Sequence, residues 1–404
     1  MKKRLESWKY PSILLLGIGV SNVGDWVYLI ALNLIVLDMT GSPLAVAALY
    51  ILKPLATICT NVWSGSFIDR LNKRNLMIYL DIFRAIMIAI LPSLASVWAI
   101  YALVFFINMA SAIFEPTSMS YITKLIPIAD RIRFNALRSL IDSGAFLIGP
   151  AIAGVLFIIG NPVVAIYINA IALFLSGNIT FFMPNVETGI KQEKMSLAIL
   201  REDWRVVSRF SSQHIYVMIS YFLFSGMMVM ATAIDSLEAA FAKEVLHLSD
   251  GSYGFLVSIA GAGIVVGAVI NTAFVKKISL NLLIGAGSLS VSLGYIIYAF
   301  SGSFFVAAIG FFILSFALAF ANTGFNTFYQ NNIPVEVMGR IGSVYGFMEA
   351  ILIVMVTSLM GITAQLFSIQ TVVIVGTLIM FGVTTALCIF SNTNLKVKKY
   401  KLVK

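Results

Sequence analysis

Apolar runs of about 20 residues, cut by short polar breaks, recur along the chain from Tyr10 to Ser391. That is the length a helix needs to cross a hydrocarbon layer of about 30 Å. A β-barrel would show alternating segments of about 10 residues, and runs such as LLIGAGSLSVSLGYIIYAF are too long and unbroken for that. Taking the polar breaks as punctuation predicts twelve helices, over 11–38, 43–68, 76–96, 99–123, 138–160 and 163–183, then 214–242, 251–275, 280–300, 303–330, 342–367 and 370–390. The first run follows MKKRLESWKYPS and continues too far, without a small-residue cleavage site, to be a signal peptide. It is read as the first span.

Hydrophobic residues are 60% of the 404 and charged residues only 11%. No soluble core of this size buries so much apolar surface, so the expected class is an all-α polytopic membrane protein. All but three of the 27 Lys and Arg fall at the termini or in even-numbered loops. Positive loops stay cytoplasmic, so both termini are expected inside, in the inner (cytoplasmic) membrane. The tail LKVKKYKLVK is then expected against anionic membrane lipids, and the net charge of +9 reflects topology rather than nucleic-acid binding. Cys59 and Cys388 lie inside apolar runs, and His214 and His247 stand alone at span ends. Neither pattern suits a disulfide framework or a metal site, and no cofactor is expected.

The longest hydrophilic stretch starts at Asn185 and divides the chain nearly in half. It predicts an N-terminal six-helix unit over 1–184, a cytoplasmic linker over 185–213 and a C-terminal six-helix unit with a basic tail over 214–404. The linker's second part, from Ser196 to Phe210, has helical character with mixed charges: it either lies along the inner membrane surface or is a solvated connector. The two halves repeat. A shift of 207 residues matches Ile126, Pro127, Arg133, Asp142 and Gly154 with Ile333, Pro334, Arg340, Glu349 and Gly361. A shift of 210 pairs Gly41 and Ser42 with Gly251 and Ser252, and Asp25 with Asp235. Two parallel six-helix repeats form the architecture of alternating-access carriers, with substrate near the midplane between them.

Within this layout GSFIDRLNKRNLMI, from Gly65, resembles the loop 2/3 motif of the major facilitator superfamily, Gly-x-x-x-Asp-Arg/Lys-x-Gly-Arg-Arg/Lys. Gly65, Asp69, Arg70, Lys73 and Arg74 fit it, with Asn72 at the second glycine and Lys73 at the first of the final basic pair. Asparagine tolerates the left-handed backbone that a glycine there would supply, so Asn72 is expected in that conformation. The resemblance implies that this loop latches the two halves together on the cytoplasmic side, with Asp69 facing the start of span eleven. A carboxylate at a helix N-terminus is favourable by ~0.3–1 kcal/mol when exposed, which suits a latch that must open. The counterpart FVKKISL has two lysines and no acid, so the latch is expected to be asymmetric. Asp81 and Arg84 stand one helical turn apart in span three, where they either extend the latch or neutralise each other. Asp142 and Glu349, at repeat-equivalent places in spans five and eleven, are expected to share a gate role with Arg340.

A charge within a span costs at least ~2.5–3.5 kcal/mol on insertion scales, so one kept there faces a cavity or a partner. Asp25, Lys53 and Glu115 are such groups. Asp25 lies near the middle of span one, and Glu115 precedes Pro116, which bends span four. Either carboxyl, cycling its proton as the cavity changes sides, can couple export to proton entry. The alternative is a static ion pair of Asp25 with Lys53. Asn322, Asn326 and Gln330 share one face of span ten at i, i+4, i+8 and are expected to point at the cavity. In span five, Gly144, Gly149, Pro150 and Gly154 give a small-residue face that permits close packing and a bend. It resembles the Gly-Pro motif of proton-coupled antiporters of this superfamily.

Together with SNVGDWVYLIALNLIVLDMTGS and FEPTSMSYITKLIP, that segment is most similar to the macrolide-efflux and siderophore-export branch. What the resemblance implies is a monomeric secondary transporter, not an enzyme. It would exchange protons for a lipophilic or amphipathic small molecule, or for one endogenous metabolite such as a siderophore or lipid.

Overall fold

The computed structural model describes residues 2–40, 43–159, 162–187, 197–248 and 250–392. The basic tail and the Gly41–Ser42 pair lie outside these. Fourteen α-helices are present among the described residues: α1 Lys2–Thr40, α2 Pro43–Arg70, α3 Lys73–Ile90, α4 Val97–Leu125, α5 Ile128–Ile159, α6 Pro162–Phe181, α7 Leu197–Gln213, α8 Ile215–Asp235, α9 Glu238–Glu244, α10 Asp250–Phe274, α11 Leu280–Ala299, α12 Phe304–Asn332, α13 Val335–Leu366 and α14 Ile369–Asn392.

Ten of these stretches are long and apolar enough to cross a membrane. The long helices α2 and α5 complete the twelve. α2 is interrupted by Lys53, Thr60, Asn61 and Ser64, and α5 carries Arg131, Arg133, Arg138 and Asp142. Those polar side chains serve inner surfaces instead of lipid, so average apolarity understates both helices. Several ends differ from the sequence pattern. α5 and α13 begin at Ile128 and Val335, well before 138 and 342, because the polar turns there are packed on protein: Arg131, Phe134 and Asn135 of α5 and Met338 and Ile341 of α13 are buried. The stretch over 214–242 breaks after Asp235 into α8 and the short α9.

The packing repeats. α1 lies against α5 and α6, α3 joins α6 to α4, and α2 packs on α4. In the second set α8 lies against α13 and α14, α11 joins α14 to α12, and α10 packs on α12. The sets meet through reciprocal pairs, α2 on α13 and α10 on α5. Their apolar cores are separate. Val27, Ile88, Ile100 and Leu173 centre one, and Met227, Phe241, Tyr298 and Met380 the other.

α7 repeats nothing. Trp204, Val207 and Phe210 fall on one helical face, and Val207 and Phe210 are buried in the core of the second set. The linker helix is docked on protein by this face, a contact that neither sequence alternative included, while Glu202, Arg205 and Arg209 on its other side are exposed.

Candidate functional site

Two features dominate the contact between the sets: a close contact, called here the gate after the role expected of it, at the end carrying the 2/3 loop, the basic end, and a cavity beyond it. At the gate α2 and α13 cross so closely that a Cβ on Gly65 would lie 2.6 Å from Arg340 Cα and 2.9 Å from the Gly339 carbonyl oxygen. Only glycine fits at that crossing. One turn on, Asp69 accepts hydrogen bonds from the backbone N–H groups of Gly339 (2.9 Å) and Arg340 (3.1 Å) and from Arg340 Nε (2.8 Å). Gly339 and Arg340 are the fifth and sixth residues of α13, so the carboxylate lies near the positive end of that helix.

Arg70 faces the other way. Its guanidinium forks onto Asp203 of α7, Nη1 to Oδ2 at 2.6 Å and Nη2 to Oδ1 at 3.0 Å, while Arg340 Nη1 reaches the same Oδ1 at 2.9 Å. Burial alone would push the Asp203 carboxyl up. The hydrogen bonds from Arg70 and Ser66, with the charge of Arg340, outweigh it and hold this group below the ordinary carboxylate range. Lys73, nearly fully buried, bonds to the Asp69 carbonyl (3.3 Å) and pairs with Glu187 (3.3 Å), and Arg74 donates to the Met183 carbonyl (2.9 Å). Both hold the loop to the segment after α6. Asn72 is not left-handed: at φ −66° and ψ 110° it is the N-cap of α3, its side-chain oxygen accepting from the Asn75 N–H at 3.0 Å.

The gate has ties that sequence reasoning missed. Arg131 donates to the Gln330 carbonyl (2.5 Å) and to Asn331 Oδ1 (3.1 Å), and Asn135 Nδ2 to Thr327 Oγ1 (3.0 Å) and Gln330 Oε1 (2.9 Å). Polar residues at a helix start read as solvated, and only the buried partners on α12 show otherwise. Gln330 therefore belongs to the gate and not to the cavity face it was expected to share with Asn326. Across α10 and α5 the counterpart contact is apolar, with Val275 and Ala136 fully buried and Thr272 donating to the Ala136 carbonyl at 3.2 Å.

Beyond the gate the sets part. Ile68 and Ile341 are fully buried, whereas Ile51, 57% exposed, lines a cavity of about 1130 Å³ between the sets. Its walls include Lys53, Asn61, Glu115, Met119, Tyr221, Phe325, Asn326 and Glu349. A second cavity of about 470 Å³ lies within the first set and contains Ser21, Asn22, Asp25, Tyr28, Arg84 and Arg138. Lys53, Asn108, Ser111 and Glu115 line both, so the two adjoin.

The charged groups are arranged unevenly. Asp81 and Arg84 form a buried pair, completed by Ser176 donating to Asp81 (3.0 Å) and by the Phe114 ring 4.5 Å beneath the guanidinium. They neutralise each other inside the first set and do not extend the latch. Asp25 accepts a long hydrogen bond from Asn169 (3.4 Å), and Lys53 and Glu115 make no ion pair among the described residues. The static Asp25–Lys53 bridge is absent. Asp142 accepts from Asn22 (2.5 Å), 3.9 Å from Arg138, within the first set. Glu349 accepts from Ser225 (2.7 Å) on the cavity wall. These repeat-equivalent acids thus do different work, and neither stands in the gate. Asn322 lines neither cavity. Gly149 lies against Trp26 of α1, where a Cβ would approach 2.4 Å, and Gly144 meets open space. Pro150 and Gly154 fall outside the residues whose side chains are described.

A family model described as Major Facilitator Superfamily matches residues 14–357. The chain belongs to the Major Facilitator Superfamily. It is a multi-pass membrane transporter and not an enzyme. An uncharacterized MFS-type transporter of Bacillus subtilis (strain 168), YfiS, is 25% identical over 344 residues, covering 80% of this chain and 79% of that one. Solved structures share the fold at low identity. A bacterial homologue of the iron transporter ferroportin in an outward-facing state has a TM-score of 0.73 at 16% identity, covering 95% and 98% of the two chains. The E. coli fucose:proton symporter FucP gives 0.77 at 15%, covering 94% and 98%. The human organic anion transporter MFSD10 gives 0.77 at 13%, covering 95% and 99%.

Proposed function

We propose that this transporter exports lipophilic or amphipathic small molecules, of the drug or macrolide type, in exchange for protons. The basic end faces the cytoplasm, as the positive-inside bias requires, so the conformation is open to the outside with its cytoplasmic gate shut. The observation that carries the reading is the acid–base set Asp25, Lys53 and Glu115, which makes no ion pair among the described residues, on two adjoining cavities at membrane depth. Charges kept there without static partners are working groups, because lipid-depth burial selects against idle ones. A carboxyl whose access switches between the two sides loads a proton on one and releases it on the other.

The wall opposite supplies the substrate surface. Tyr221, Phe325, Ile353 and Val354 give an adaptable apolar face, with Asn326 and Glu349 as its polar points and Met119 facing it from α4. Asp25 is assigned the coupling proton, with Glu115 and Lys53 relaying between the cavities. The assay is purified protein in liposomes under an imposed pH gradient. Wild type should move a member of a broad lipophilic panel uphill, and Asp25→Asn should bind it but equilibrate it only. Movement of no compound would sink the reading, and uphill pumping by the mutant would remove Asp25 from the proton role.

A further inference from the structure

We infer that the linker helix α7 is a working part of the gate: Asp203, through Arg70, ties the second set to the first and holds the basic end shut. The inference stands on the gate geometry and does not depend on the substrate or the coupling ion.

α7 moves with the second set. Val207 and Phe210 are buried in that set's core, and Ser211 hydrogen-bonds to the Tyr345 hydroxyl of α13 at 2.7 Å. Arg70 is the last residue of α2, in the first set. The fork between Arg70 and Asp203 therefore spans the two bodies that must separate when the gate opens. Adjacent residues of one helix end thus make crossed ties. The acid Asp69 reaches the base Arg340 of α13, and the base Arg70 reaches the acid Asp203 of α7. Arg340 also bonds Asp203, so the four charges close into one chain of alternating sign. A second contact runs the same way: Trp204 Nε1 donates to the Val62 carbonyl of α2 at 3.2 Å, and its ring meets Phe347 of α13 edge-on at 6.1 Å.

The geometry favours a gating role over an anchoring one. Asp203 is 3% exposed and, among the described residues, accepts from Arg70, Ser66 and Arg340, all at the gate. An anchor for the linker would need no fork onto the opposite set. Bidentate arginine–carboxylate pairs are among the stronger charge-assisted contacts, and opening must break this one while leaving Asp203 with Arg340. The pair is made in the closed state and lost in the open one, and so biases the equilibrium towards closure.

The test places spin labels on Ile128 and Lys276, exposed residues at the basic end of the first and second sets, in full-length protein with Cys59→Ser and Cys388→Ser. Distances in nanodiscs report the open fraction of that end. Asp203→Asn should raise the ratio of open to closed molecules about tenfold. Arg70→Gln should do the same, and the double variant should go no more than about threefold further, because each removes one shared interaction. Trp204→Phe, which changes no charge, should move the ratio about threefold in the same direction and carries the test with Arg70→Gln if Asp203→Asn does not fold. A wild-type distance distribution in the folded Asp203→Asn protein overturns the inference. So does an effect near a hundredfold in the double variant, which would mean that Asp203 acts independently of Arg70. If Trp204→Phe and Arg70→Gln both leave the ratio unchanged, the linker is an anchor.

Discussion

Gly65 and Asp69 sit one helical turn apart and do separate jobs, so their substitutions should fail differently. Gly65→Ala puts a methyl 2.6 Å from the Arg340 backbone, and backbone cannot give way as a flexible side chain can. The helices must part along the whole crossing, and transport by inserted protein is expected to fall at least tenfold, with the basic end open in labelling experiments. Asp69→Asn keeps the crossing and loses charge-assisted bonds to two backbone donors and Arg340. Hydrogen bonds to charged groups contribute about 1.5–3 kcal/mol each, so transport should drop with topology unchanged. Transport at the wild-type rate would reduce the loop to a positive anchor. Asp69 was legible in the sequence because glycine, acid and bases recur at fixed spacing. Arg131 and Asn135 carry no such pattern, and Asp203 lies 133 residues from the arginine that it meets.

At the scale of elements, Asn72 tests how a motif position is filled. As the N-cap of α3 it satisfies a donor that the helix leaves open, so Asn72→Ala should cost about 1 kcal/mol and Asn72→Gly only a few tenths. A left-handed residue would give the opposite for glycine, a gain, and thermal unfolding in detergent separates the two. The short α9 supplies a pH test. Burial first, then the nearby Asp235 charge, push Glu238 up to about 7, against the hydrogen bond from Tyr253. The folded protein holds that proton more tightly than the unfolded chain does. The associated stability is fully present below about 4.5 and is lost as pH rises through about 7. The unfolding temperature of wild type should therefore fall relative to Glu238→Gln between pH 6 and pH 8, and parallel curves would show that Glu238 is hydrated. The spans themselves were legible because membrane thickness sets their length. The docking of α7 was not: an amphipathic face reads the same whether lipid or protein covers it.

For the molecule as a whole the repeat makes a two-sided contact at the proposed gate, and the sides differ in chemistry. One side carries Asp69, Arg70, Asp203 and Arg340. The other, from α5 to α10 and its following turn, is apolar, with Arg131 and Asn135 reaching past it to α12. The sequence repeat showed the symmetry, and the missing acid in FVKKISL showed the asymmetry, but only the packing shows that Arg131 supplies a polar tie beside it. Asp69 and Arg131 share no partner, so Asp69→Asn and Arg131→Gln should act independently on the open fraction, their free-energy effects adding within about 0.5 kcal/mol. That holds only while each set moves as a rigid body and both ties break in the same event. If the double variant opens no further than one single variant, breaking either tie already frees the whole end and the gate has one weak point. If it opens far beyond the sum, each tie can hold the gate alone. The same spin-label pair reads all three cases.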